Sequence, residues 1–138
     1  MEDVADLRKA MLGFYDALTR GDADLLEQLI SRQDGVLGIG TDPDEWWVGH
    51  AKLRDIMKTQ MAEMGGHITI VDSDPVAYAE GTVGWVADRP RFRLDDGTES
   101  PIRLTATFHR EQDDWKIVQF HVSVGVPNEE VVGRELTV

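Results

Sequence analysis

Few side chains in this sequence could carry chemistry, and several of them gather towards its C-terminal end. His121 and Ser123 share one face of an extended run with Trp115, Ile117 and Gln119. Strand side chains alternate between faces, so Lys116, Val118, Phe120, Val122 and Val124 fall on the other. An imidazole titrates near neutrality and can serve as acid, base or ligand to a carbonyl group. We expect the mixed face of this run to line a cavity, and the apolar face to meet another layer such as a second subunit's sheet. The reverse assignment is the alternative that alternation alone leaves open. The plainer reading of His121 is a hydrogen-bonded structural histidine.

Other candidates are scattered. Trp85 shares a face with Val83 and Ala87 and is followed by Asp88 and Arg89. An aromatic ring and a carboxylate near one strand end could line a pocket, because pockets are mostly apolar with a few polar groups. Equally, Trp85 could be a core residue beside a surface turn. Arg103 lies between Ile102 and Leu104. Pointing inward it would grip a carboxylate; pointing outward it is an ordinary exposed charge. Asp42 stands in the polar stretch Thr41-Asp42-Pro43-Asp44-Glu45, where Asp-Pro is turn-forming chemistry. His50, His67, His109 and His121 are isolated, with no spacing that would hold a metal. Neither a dinucleotide or phosphate-binding glycine motif nor a Gly-x-Ser-x-Gly elbow is present. No metal and no cofactor are expected.

The elements that must position these residues follow from periodicity. Val4, Leu7, Met11, Phe14 and Leu18 recur at three- and four-residue steps and predict a helix over 3 to 19. Gly21 suits its left-handed end, and Asp22 can cap a second helix over 23 to 32. Residues 36 to 40 and Trp46-Trp47-Val48 read as a short hairpin. A third helix over 50 to 63 carries Leu53, Ile56, Met57, Gln60, Met61 and Met64 along one side. From His67 the pattern turns to strands, over 67 to 79, 81 to 93, 100 to 111 and 115 to 126. Turn residues at Glu80-Gly81, Asp95-Asp96-Gly97 and Gln112-Asp113-Asp114 separate them, as in an antiparallel meander. Pro75 and Pro90 cannot donate to a ladder and should mark edges, bends or bulges. Helices on one face of a curved sheet make an α+β layout.

That order, with its local signatures, resembles the nuclear transport factor 2-like superfamily and its SnoaL-like branch. The resemblance rests on Phe14-Tyr15-Asp16-Ala17-Leu18 followed by Arg20-Gly21-Asp22, and on Trp47-Val48-Gly49 leading into the third helix. It rests also on a closing hairpin of Phe108-His109-Arg110-Glu111, Trp115-Lys116-Ile117-Val118 and His121-Val122-Ser123. It spans about residues 3 to 127. It implies a cone-shaped α+β barrel, with three N-terminal helices packed on a curved, mainly antiparallel sheet. Members include isomerases, cyclases, dehydratases, hydrolases and binding or assembly domains, so the fold does not supply the activity. In ketosteroid-isomerase-like members an Asp-Pro comparable to Asp42-Pro43 carries the general base, and a tyrosine of the first helix donates to the oxyanion. Here that helix position is Phe14, and Tyr15 is turned about 100° away from it.

Bulk properties bound the rest. The 138 residues suit one domain, 1 to 138, and 41% hydrophobic residues can fill one core. The net charge of −12 argues against nucleic acid as a partner. With no cysteine, no apolar run of about 18 residues and no signal-like start, the expectation is a cytoplasmic protein without a membrane partner. The leading expectation is a homodimer, joined through the sheet, whose cones each hold a small apolar or weakly acidic molecule. Trp47, Trp85, Asp88, Arg103, Phe108, His121 and Ser123 would line the site. The alternative is proton transfer or lyase chemistry on a small carbonyl compound, with Asp42 or Asp88 as base and His121 as its partner.

Overall fold

The computed structural model covers residues 1–138. The chain opens with a two-residue strand, β1 (Glu2–Asp3), and enters α1 (Ala5–Arg20). The apolar stripe of α1 buries Leu7, Met11 and Phe14, with Tyr15 and Ala17 beside them. Gly21 ends this helix at φ 68°, ψ 29°, a conformation that costs glycine no steric clash. Asp22 then accepts the Leu25 N–H at 3.0 Å and starts α2 (Ala23–Leu29). This helix stops short of the expected residue 32. Ile30 becomes extended and bridges Ile117, and the Ser31 N–H donates to the Ile117 carbonyl at 2.9 Å.

A hairpin of β2 (Leu37–Ile39) and β3 (Trp46–Val48) leads into α3 (His50–Met64). The strands that follow are β4 (Ile68–Val71), β5 (Val76–Glu80), β6 (Val83–Asp88), β7 (Arg91–Leu94), β8 (Glu99–Pro101), β9 (Arg103–Glu111) and β10 (Asp114–Ser123), before a short α4 (Asn128–Val132). Three of the four long strands expected from sequence are therefore broken, at Pro75, at Pro90 and at Ile102. The outer halves, β4, β7 and β8, form a three-stranded sheet of their own. The inner halves join a seven-stranded sheet in the order β1-β5-β6-β9-β10-β2-β3. Proline cannot donate to a ladder, so the two sheets part where Pro75 and Pro90 fall.

Every pairing in the large sheet is antiparallel except β10 with β2, which is parallel. The sheet has free edges at β1 and β3 and is not a closed barrel. Helices α1 and α3 pack on one face of this curved, mostly antiparallel sheet, and the core lies between. No helix is long and apolar enough to cross a membrane.

Candidate functional site

One backbone irregularity decides which side chains enter the sheltered space. Along β10, Ile117 pairs with Phe108 but Gln119 pairs with Thr107, leaving Val118 as an extra, unpaired residue. Such a bulge reverses the alternation of every residue after it. Before it, Trp115 and Ile117 point inward; after it, Phe120 is the buried residue and Val122 lines the interior with it. His121 is exposed on the outer face.

The interior is filled towards Trp115 and open towards Val122. The opening is a cleft of about 410 Å³, bounded by α1, the hairpin, α3, the small sheet and the ends of β9 and β10. Twelve of its nineteen lining residues are hydrophobic. Phe14 of α1 lies 5.6 Å from Phe120, ring centre to ring centre, and Trp47 of β3 lies 6.5 Å from the same ring. Met57, Met61 and Met64 come from α3, Ile68 and Ile70 from β4, and Phe92 from β7.

The polar part of the lining centres on Glu45 and Gln60. Glu45 Oε2 accepts from Gln60 Nε2 at 2.6 Å, and its Oε1 accepts from the Asp42 N–H at 2.9 Å. Thr19, Thr41 and Glu63 complete the polar lining, which contains no lysine, arginine or histidine.

Of the residues expected to line the site, Trp47 alone does so, and it is 7% exposed. The others are placed elsewhere, each for a visible reason. His121 is turned outward by the bulge, and Ser123 follows it, accepting from Arg103 Nε at 3.2 Å. Arg103 is exposed beside it, at the start of β9. Trp85 alternates with the buried Gly84 and Val86 and stands outside, 36% exposed. Phe108 does point inward, but into the filled end, where it is 1% exposed.

Asp88 is buried, and both oxygens of its carboxylate are hydrogen-bonded. Its Oδ2 accepts from the Tyr15 hydroxyl at 2.8 Å, and its Oδ1 from the N–H groups of Asp74 at 3.1 Å and Arg89 at 2.8 Å. Those amides lie beside Pro75 and Pro90, so Asp88 satisfies backbone donors at the point where the strands break. Burial, reinforced by the carboxylate, pushes the Tyr15 hydroxyl well above its ordinary pKa.

Asp42 is exposed, and its Oδ1 accepts the Asp44 N–H at 2.9 Å, the hydrogen bond of an Asp-type turn. Neither Asp42 nor His121 enters the cleft lining, so the pairing expected of a base and its partner is not assembled there. A second polar cluster offers no relay either. The buried Ser31 hydroxyl donates to Glu111 Oε2 at 2.8 Å, and His109 Nδ1 reaches that same oxygen at 3.1 Å, so the serine is turned to the carboxylate and not to the imidazole. No three acidic or histidine side chains converge as a metal set.

Sequence reasoning passed over Glu45 as a turn residue. Its signal was position: it closes the turn directly before Trp46-Trp47. Gln60 had a clearer signal, since it lies on the otherwise apolar side of α3.

Comparison with known proteins agrees with the architecture. The model of the SnoaL-like domain family matches residues 7–127. A candidate dehydratase of the NTF2-like family from Streptomyces avermitilis superposes with a TM-score of 0.76 at 20% identity, covering 89% of this chain and 96% of that one. An NTF2-like superfamily protein from Salmonella enterica serovar Typhimurium gives 0.74 at 18% identity, covering 94% of each chain. A cystatin-like-fold protein of unknown function from Nostoc punctiforme gives 0.74 at 10% identity, covering 91% and 96%. At these identities the likeness is one of fold. Among curated proteins, none matches in sequence.

Proposed function

The chain belongs to the SnoaL-like domain family, and we propose that it binds a small, largely apolar molecule in the cleft between α1, α3 and the small sheet. The observation that carries this reading is the cleft itself: about 410 Å³, predominantly apolar, with one organised polar pair at Glu45 and Gln60. Sites for small ligands have this size and character. The cysteine-free composition suits action in the cytoplasm. The test is an NMR titration with 1-naphthalenemethanol, a neutral aromatic probe. Saturable shifts should concentrate on the Trp47 indole, the Gln60 amide and the methionine methyls. Met61→Trp, which fills the cleft, should abolish them. Shifts that do not saturate, or that survive in Met61→Trp, would remove the proposal.

We also propose that a second copy covers the outer face of the large sheet. The bulge takes Phe120 and Val122 out of the surface expected for this contact, and other side chains replace them. Strand pairing aligns Trp46, Ile39, His121, Thr105, Ala87 and Val76 in one row across the sheet. The next row is Val48, Leu37, Gln119, Thr107, Trp85 and Tyr78. Both rows are apolar at their two ends and polar in the middle. A face with that pattern can meet its own two-fold copy, end to end and middle to middle. Val76, Tyr78, Val83 and Trp85 are exposed apolar side chains gathered on the paired strands β5 and β6. Light scattering should return twice the 15.5 kDa chain mass, and Trp85→Glu should return the single mass. A wild-type monomer at micromolar concentration would refute the dimer.

A further inference from the structure

Resting on the cleft reading above, we infer that the cleft selects its ligand by charge: it takes apolar molecules bearing a hydrogen-bond donor, amines above all, and rejects carboxylates, with Glu45 as the receiving group.

Three observations converge on this. The lining holds two carboxylates, Glu45 and Glu63, and no cationic side chain. An anionic ligand would meet like charge in a half-enclosed, apolar space and find no partner. The arginine that could have gripped an acid, Arg103, is on the outer face with Ser123.

The second observation is that Glu45 is held in place. The Asp42 N–H and Gln60 Nε2 each bind one of its oxygens. The loop closes around it through Gly40 N–H to the Glu45 carbonyl at 2.9 Å and Glu45 N–H to the Asp42 carbonyl at 3.0 Å. Gly40 leaves the room for this: a Cβ there would overlap the Glu45 carboxylate and lie 2.8 Å from Glu45 Cβ. Each carboxylate oxygen has a further lone pair beyond the one its protein donor uses. The group is therefore positioned in advance and still able to accept.

Third, the rings of Phe14, Trp47 and Phe120 cluster in the lining of the same cleft. Aromatic rings suit both an apolar body and a neighbouring ammonium. A role confined to closing the turn would account for the Asp42 contact. It would not account for the bond to Gln60, fifteen residues away on α3.

The experiment uses three probes of one shape, 1-naphthylmethylamine, 1-naphthalenemethanol and 1-naphthoate, with the whole chain at neutral pH, followed by calorimetry and by the Trp47 and Gln60 NMR signals. The amine should bind about tenfold more tightly than the alcohol, because its ammonium adds an ion pair to the hydrogen bond that the carboxylate accepts from either probe, and the naphthoate weakest of the three. Glu45→Gln should bring amine and alcohol to within about threefold of each other, because the amine loses its ion pair while the alcohol exchanges a charged acceptor for a neutral amide oxygen. Equal affinities for all three, or preference for the carboxylate, would overturn charge selection while leaving the cleft reading intact. An amine advantage that persists in Glu45→Gln would assign it to Glu63 or to the acidic surface at large and overturn the role of Glu45. If no probe binds saturably, the cleft reading falls and this inference with it. The wild-type series decides selection by itself if Glu45→Gln does not fold.

Discussion

Near Trp115 the space between α1 and the sheet is filled; near Val122 the same helix and the same strand stand around a cleft. The filled end is made by Leu7, Met11, Phe108 and Ile117, all at 1% exposure or less. The open end has equally apolar residues, Phe14, Leu18, Phe120 and Val122, drawn from α1 and β10, two of the three elements that fill the other end. Composition does not separate the ends. What separates them is backbone: the extra residue at Val118 in β10, and the breaks at Pro75, Pro90 and Ile102 that set β4, β7 and β8 apart as a second sheet. An apolar stripe becomes core where the opposing sheet runs straight beneath it, and a pocket wall where that sheet bends away.

The largest test of this comparison is to remove the bulge by giving Val118 a partner. Inserting one alanine between Thr107 and Phe108 would let alternation run unbroken along β9 and β10, so that with Ile117 and Phe108 inward, Gln119 and His121 would turn inward while Phe120 faces water. We expect a loss of more than about 4 kcal/mol, since polar groups would replace a buried aromatic residue. Urea denaturation followed by circular dichroism would measure it. An insertion variant of near-native stability would mean that the bulge does not set the facing of these residues.

The bulge also marks the boundary of what the sequence made legible. Helical periodicity located α1 and α3 to within two residues, and the Gly21-Asp22 step was readable because cap chemistry is local. The turns of the meander were readable for the same reason. Facing was not. Alternation sorts a strand into two faces, but it neither detects an inserted residue nor says which face is covered. So His121 and Ser123 were read on the cavity side when they are outside, and Phe120 and Val122 the reverse. Asp88 failed differently. Its partner Tyr15 is 73 residues away in sequence, and no local pattern links a helix tyrosine to a strand carboxylate. Glu45 and Gln60 were overlooked because their pairing, too, exists only once α3 packs on the hairpin.

A smaller test compares one aromatic from each end. Phe108→Ala should cost about 3–5 kcal/mol, because its neighbours at the filled end cannot collapse into the void. Phe92→Ala should cost about 1 kcal/mol, because this ring is half-buried and already borders open space. Equal losses would show that the cleft end is as tightly packed as the core.

The hinge between the two regions is the Tyr15–Asp88 contact, beside the strand breaks. Asp88→Ala leaves three donors without their acceptor, and should cost about 3 kcal/mol. Tyr15→Phe removes one bond and leaves the carboxylate its two backbone partners, so about 2 kcal/mol is expected. A Tyr15→Phe loss as large as that of Asp88→Ala would place the stabilisation in the hydroxyl and not in the breaks.

The same contact carries the smallest effect and the most specific signature. Tyr15 is buried beside a carboxylate, and both features raise its pKa above the ordinary 10.0. The unfolded chain, with an ordinary tyrosine, releases this proton as pH rises through that value, while the folded chain keeps it. Unfolding then releases a proton, so the unfolded state binds fewer protons than the native one and stability falls with rising pH. The contribution is whole below that pH and declines above it, by up to about 1.4 kcal/mol per pH unit. Tyr15→Phe cannot show this term. The other tyrosine, Tyr78, is exposed on the outer face and stays in both proteins, so it cancels from the comparison. Denaturation curves from about pH 9 to about pH 11 should therefore decline more steeply in wild type than in Tyr15→Phe, by close to one proton. Parallel declines would mean that the hydroxyl titrates alike in both states, and that the hinge is open to water, not closed against the core.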